Sequence, residues 1–438
     1  MKETPIKKEV VDGIISELGI QDFAKATIRE VKLTASIAEK RSGVEFIKME
    51  MGIPGLPAAK VGVNAQVKAL QDGIANLYPN IQGLPELKQA ASQFVKAFIG
   101  LDIAAEGCVP VSGSMQGTFA SFLTCSQCDS RKDTVLFIDP GFPVQKMQLQ
   151  VIGVKYETFD VYDYRGPKLA PKLESYLEKG NICAIVYSNP NNPSWICLNE
   201  DELQAIGQLA TKYDAIVMED LAYFAMDFRK DLSTPYQPPY QPSVGRYTDN
   251  YILLISGSKA FSYAGERIGV TCISDKLFHR HFADLAARYE GLPFGPVFST
   301  RMLYALSSGT SHSAQYAMAA MLQAACDGTY DFRREVSVYG QRAHRLKEIF
   351  RRHGFHIVYD KDLDEDIADG FYFTIGYHGM TSGQLAHELM YYGVSAICLV
   401  TTGSHQEGLR VCTSFIEDHQ YAQLDERMAV FAENNPQQ

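Results

Sequence analysis

Lys259 stands in ISGSKAFSYAGERIG, where its neighbours are Ser, Gly, Ala and Phe and the next charge is Glu266. A lysine that follows an apolar run and is flanked by small residues can lose its proton through desolvation and act as a nucleophile. Arg267 lies eight positions on, in a glycine-flanked turn. Asp220 ends the run AIVMED. A carboxylate there could pair with a protonated ring nitrogen, or cap a following helix. Tyr223, three residues later, would sit near it as a polar neighbour or as core. Ser112-Gly113-Ser114 separates another apolar run from a helical stretch. Backbone N–H groups at such a junction suit a phosphate, although small residues also serve packing there. Phe142, in DPGFP, offers a ring face for stacking or for the core. Residues 188–194 read SNPNNPS, directly after the apolar run ICAIVY. Asn and Pro form turns, and Asn192 could donate its side-chain amide to a ring oxygen while the prolines hold the loop. The set contains a phosphate cradle, a stacking ring, an acid for a ring nitrogen and an amine for a Schiff base. Those are the requirements of pyridoxal phosphate, whose ring is an electron sink.

These residues need elements that gather them. From about residue 108, short apolar runs alternate with helical stretches: CVPVSG, TVLFID (134–139), ICAIVY (182–187), AIVMED (215–220) and YILLISG (251–257). Strands apolar throughout and separated by helices predict a parallel sheet covered on both faces. In such a sheet ligands bind beyond the carboxyl ends of the strands, and every residue above follows such an end. Asn199 with Glu202 predicts a capping box and places a helix start. Residues 1–50 read as polar and helical. Longer helices after about 300, then mixed strands such as GFYFTIGY (370–377), predict a second, smaller α+β domain. The expected organisation is α/β. A large domain over 51–300 would hold the mostly parallel sheet, and a small domain would be built from both chain ends, 1–50 and 301–438.

The bulk numbers narrow the partners. The chain has 438 residues, 46% hydrophobic and 21% charged, with net charge −10. That is ordinary globular composition. The acidic balance and the lack of a basic stripe argue against nucleic acid and anionic membranes. No apolar run is long enough to span a bilayer, and the first residues, MKETPIKKEVVDG, do not read as a signal peptide. Nine scattered cysteines suit a reducing compartment, so a cytoplasmic location is expected. Cys125 and Cys128 form one CxxC without a second pair at zinc-site spacing, and are expected to be packing thiols. No metal site is expected.

With these motifs in hand, the chain resembles the class I/II aminotransferases, which are fold-type I pyridoxal-phosphate enzymes. The matching residues are Gly113 to Gln116, Asp139 to Pro143, Asn189 to Pro193, Asp220 to Tyr223, Ser256 to Lys259 with Arg267, and Arg410 in GLRVCTSF. They occur in the family's order over roughly residues 50 to 415. The resemblance implies an aspartate-aminotransferase-like fold and a set of roles. Lys259 would form the Schiff base and move the α-proton. Asp220 would hold the pyridine nitrogen protonated, and Asn192 and Tyr223 would bond the ring oxygen. Phe142 would stack on the ring. Ser114, Met115, Ser256 and Arg267 would hold the phosphate. Arg410 would grip the substrate α-carboxylate in a two-point fork, with Gly52, in MEMGIPG, bordering the substrate. Tyr78, in LYPNIQG, would reach across a homodimer to the neighbour's phosphate, or else pack.

Two positions depart from the family. Trp195 follows Ser194 where glycine is usual, and is expected to fill the core. Gln145 replaces a second aromatic three residues after Phe142. The implied activity is transfer of an amino group from an L-amino acid to a 2-oxo acid. The alternative is a lyase on the same scaffold, such as a β C–S lyase or a cyclising synthase, since fold does not separate these. A transcription regulator with a similar domain would need a DNA-binding segment before it, and the polar stretch before Gly52 lacks a basic footprint. A nicotinamide enzyme would need a strand–GxGxxG–helix unit, which the chain lacks.

Overall fold

The computed structural model describes residues 2–437. Its centre is a seven-stranded sheet in the order β2-β8-β7-β6-β5-β3-β4. The strands are β2 (Cys108–Val111), β3 (Thr134–Asp139), β4 (Lys155–Asp160), β5 (Ile182–Ser188), β6 (Ile216–Leu221), β7 (Tyr251–Ser256) and β8 (Gly269–Ile273). All run parallel except β8, which is antiparallel to both β2 and β7. Every residue of β2, β3, β6 and β7 is buried, which is why these strands read as unbroken apolar runs. Two strands lay outside that expectation. The sequence of β4 is KYETFD, and its first residues are exposed at the sheet's edge. The short β8 reverses direction after the Arg267 turn.

Helices cover the faces of the sheet. They include α5 (Ser114–Cys125), which begins directly behind β2, α6 (Pro143–Ile152), α7 (Leu169–Leu177) and α8 (Glu200–Lys212). The start of α8 is fixed by the expected reciprocal bonds: Asn199 Oδ1 accepts from the Glu202 N–H, and Glu202 accepts from the Asn199 N–H. Earlier in the chain lie α1 (Lys8–Glu17), α2 (Ile28–Ser42), α3 (Lys60–Gln71) and α4 (Pro85–Ile99). Cys125 and Cys128 are buried free thiols, and Cys128 Sγ donates to the Thr124 carbonyl.

The remaining strands are β1 (Ile47–Lys48), β9 (His356–Ile357), β10 (Lys361–Asp362), β11 (Glu365–Asp366), β12 (Tyr372–Gly376), β13 (Val394–Ser395), β14 (Ile397–Cys398) and β15 (Leu409–Cys412). β14, β15, β12 and β9 form a four-stranded antiparallel sheet. The two chain ends meet beside it. β1 pairs with β13, the Ile6 N–H donates to the Tyr391 carbonyl, and α1 packs on the helix Ser382–Tyr391. We propose the division near 50 and 300 on this arrangement, with the helix His312–Cys326 packing back onto α3 and α4.

The loop between β5 and α8 shows why three asparagines follow a strand. Asn189 Oδ1 accepts from the Leu198 N–H. Asn191 donates to the Pro140 carbonyl and accepts from Ser194 N–H and Oγ. The side chains of Asn189 and Asn191 thus replace the backbone ladder that the turn lacks. Trp195 is fully buried, edge-on to Tyr223 at 5.4 Å between centroids and to Tyr372 at 6.2 Å. A Cβ on Gly370 would lie 2.1 Å from its ring, so the indole occupies the space of a missing side chain.

Candidate active site

The carboxyl ends of the parallel strands converge on one cavity of about 310 Å3, within the range of small-molecule sites. Gly52, Ser114, Met115, Phe142, Asn192, Asp220, Tyr223, Ser256, Lys259, Arg267 and Arg410 all line it. Of the residues expected from the sequence, only Tyr78 lies elsewhere. It is 90% exposed on the surface of the single chain.

Lys259 comes three residues after β7. Its Nζ donates to the Gly52 carbonyl and lies 5.3 Å from the Phe371 ring centroid. Burial pushes the amine down to about 8, with the Arg410 and Arg267 charges pushing the same way and Cys412 opposing them. A lysine at 10.5 is roughly 0.1% neutral near pH 7.5, whereas with its amine at about 8 roughly a quarter of Lys259 is neutral there. Competitive acylation of the apoprotein followed by peptide mass spectrometry should therefore show Lys259 labelling with an inflection near pH 8. An inflection above pH 10 would contradict the burial argument. Gly52 can border this amine because it has no side chain: a Cβ there would lie 1.8 Å from Tyr372 Oη.

Asp220 sits on β6, the strand next to β7. It is buried and makes no ion pair among the described residues. Burial raises its carboxyl to about 6, opposed by the Ala222 N–H and by Gln145 Nε2, which donates to Oδ2 at 3.0 Å. The residue that departs from the expected aromatic thus donates to the acid. Arg410 is 2% exposed on β15 and also makes no ion pair among the described residues. Its Nη2 donates to the Glu50 carbonyl and its Nη1 to Asn192 Oδ1 at 3.4 Å, while Nε has no partner. Asn192 keeps its Nδ2 as a donor. The Tyr223 hydroxyl, expected beside a ring oxygen, is turned to Tyr372 Oη at 3.0 Å.

The anion end lies at the start of α5. Ser114 Oγ is buried without a partner, and a Cβ on Gly113 would meet the Arg267 guanidinium at 2.5 Å. Arg267 takes a left-handed backbone (φ 53°) that turns it back over the helix start. Ser256 is buried beside it, and its Oγ accepts from the Ser258 N–H. Phe142 precedes α6 as its N-cap and is half-buried on the cavity wall.

A buried carboxylate and a buried guanidinium without counter-ions are each costly. Lining one cavity together with the start of α5, they fit a ligand set that carries a basic ring nitrogen, a carboxylate and a phosphate. Gln145 and Tyr372 are the participants that residue types did not announce. Gln145 is signalled only by its place one turn into α6. Tyr372 is signalled only by the register that sets it near Arg410.

Comparison with known proteins agrees with this geometry. The family described as aminotransferase class I and II matches residues 45–425. The aspartate aminotransferase of Pyrococcus horikoshii is 27% identical over 247 residues, covering 56% of this chain and 59% of that protein. An LL-diaminopimelate aminotransferase of Dehalococcoides mccartyi is 26% identical over 365 residues, covering 82% and 84%. The chain spans less than two-thirds of the length of several of the curated relatives it matches, 57% to 59% for three of them. Among solved structures, an alanine aminotransferase from Pyrococcus furiosus superposes with a TM-score of 0.75 at 18% identity, covering 94% of this chain and 98% of that one. The fold is that of the aspartate aminotransferases, and the chain belongs to the aminotransferase class I and II family.

Proposed function

We propose that the protein is a pyridoxal-phosphate-dependent aminotransferase that moves an amino group from an L-amino acid to a 2-oxo acid. The observation that carries this reading is the pair of buried charges without an ion-pair partner among the described residues, Asp220 and Arg410, in the one cavity that Lys259 also lines. When bound, the cofactor supplies an aldehyde that takes an amine and a ring that takes up an electron pair. The chain's residues do the rest. Asp220 holds a proton on the ring nitrogen. Ser114, Met115, Ser256 and Arg267 hold the phosphate at the start of α5. Asn192 and Tyr223 direct their donors at the ring oxygen, and Phe142 covers the ring face. Arg410 takes the substrate α-carboxylate in a two-point fork, near the Gly52 backbone. Lys259 Nζ would hold the aldehyde in the absence of substrate and would carry the proton at the substrate α-carbon. Its depressed basicity suits that task near neutral pH.

The reading includes a homodimer with shared sites and no nucleic acid or membrane partner. Val63, Val67 and Leu70 are 39%, 47% and 45% exposed at helical spacing on α3, with Leu77 beside the protruding Tyr78. A second copy would cover that face and bring Tyr78 to its phosphate site. No helix among the described residues is long and apolar enough to cross a membrane. The nine free cysteines fit a cytoplasmic setting.

The test is transfer itself. Nitrogen-labelled L-amino acids are incubated with the protein, pyridoxal phosphate and 2-oxo acids, and products are read by mass spectrometry. Label appearing on the amino acid formed from the oxo acid supports the reading. Release of labelled ammonia without transfer would make the protein a lyase. A companion prediction concerns Gln145. Its bond to a charged acceptor contributes about 1.5–3 kcal/mol, so Gln145→Leu raises the Asp220 carboxyl further above its ordinary range. Cofactor affinity should then fall roughly tenfold, more at pH 6 than at pH 8, because the acid protonates as pH drops. Equal affinities at the two pH values would show that Gln145 does not hold the ionised acid.

A further inference from the structure

Tyr372 touches three parts of the site that the roles above treat as separate. It stands on β12 opposite Cys412, which puts it on the same sheet face as Arg410, one diagonal away on β15. The Arg410 guanidinium carbon lies 4.6 Å from the Tyr372 ring centroid. Tyr372 Oη accepts from the Tyr223 hydroxyl at 3.0 Å and lies where a side chain on Gly52 would have to be. The ring cannot swing away. Trp195 and Tyr223 pack edge-on against it, and Phe371 closes from the side at 5.0 Å.

From this juxtaposition, and resting on the reading of the site given above, we propose that Tyr372 is a positioning residue with two separable actions. Its ring carries the guanidinium that must stay aimed at the substrate carboxylate although no protein carboxylate holds it. A cation over a desolvated aromatic face is held by the ring's quadrupole, and the contact needs only the face. The second action belongs to the hydroxyl. A phenol can both donate and accept. When the Tyr223 O–H turns to an oxygen in the cavity, Tyr372 O–H is free to donate to Tyr223 Oη. A donor that itself accepts a hydrogen bond is strengthened by it. Tyr372 thereby links the carboxylate grip on the small sheet to the ring-oxygen side of the large one.

Two variants of the holoenzyme separate the actions. Tyr372→Leu removes the face and the hydroxyl, and Tyr372→Phe removes the hydroxyl alone. For the best donor among the common L-amino acids, Tyr372→Leu should raise KM about tenfold or more, with a smaller change in kcat. Tyr372→Phe should keep most of the donor affinity. It should instead move the pH midpoint of the bound cofactor's absorbance upward, because a ring oxygen given a weaker donor keeps more of its basicity. Thermal melting of both variants checks the fold. If Tyr372→Leu saturates at the wild-type donor concentration, or if both variants raise KM equally with no shift in the midpoint, the proposal is overturned and Tyr372 is core alone. If the wild-type protein takes up pyridoxal phosphate yet no amino acid alters its spectrum, the reading of the site fails and the proposal fails with it.

Discussion

Lys259→Ala is expected to lower turnover by about a thousandfold or more, since it removes both the amine and the group that moves the proton. The protein should still fold. Nζ is buried with an amine pushed down to about 8, so its removal lifts a desolvation cost as well as deleting the bond to the Gly52 carbonyl. Circular dichroism should be unchanged, and pyridoxal phosphate should still bind through Arg267, Ser114 and Asp220, without the absorbance that a lysine linkage gives. Adding a small primary amine should restore part of the rate. Turnover within about tenfold of wild type would mean that another group is the proton carrier.

Arg410→Met should give the second large effect, and its selectivity is the informative part. A two-point fork to a carboxylate contributes about 3 kcal/mol or more, so kcat/KM for L-amino acids should fall roughly a hundredfold or beyond. Simple amines that lack a carboxylate should lose far less. The unfolding free energy should stay within about 1 kcal/mol of wild type or rise, because replacing an unpaired buried charge with an apolar side chain is often neutral or favourable. Equal losses for amino acids and simple amines would remove Arg410 from the carboxylate site.

The residues that gather in the cavity were legible in the sequence because they sit where apolar runs stop. Lys259 and Asn192 follow buried strands and Asp220 stands at the end of one, and that pattern is carried by the local sequence alone. β4 and β8 escaped for the opposite reason. One is a polar edge and the other a short reversed strand with Thr and Cys in it. Trp195 was expected in the core and is there. What it fills, the space left open by Gly370, depends on a contact across 175 residues that no local pattern carries. Gln145 and Tyr372 were illegible for the same reason, since each acts through a residue far away in the chain. Tyr78 matters only if a second copy covers it, and a single chain shows only its exposure.

The most direct test of the central claim is an absorbance titration of the purified, cofactor-loaded protein against each common L-amino acid, with no oxo acid present. The account predicts that one or more amino acids convert the aldehyde absorbance to that of the cofactor's amine form and release the matching 2-oxo acid. A cofactor spectrum that no amino acid alters, or release of ammonia with the aldehyde absorbance restored, would contradict it.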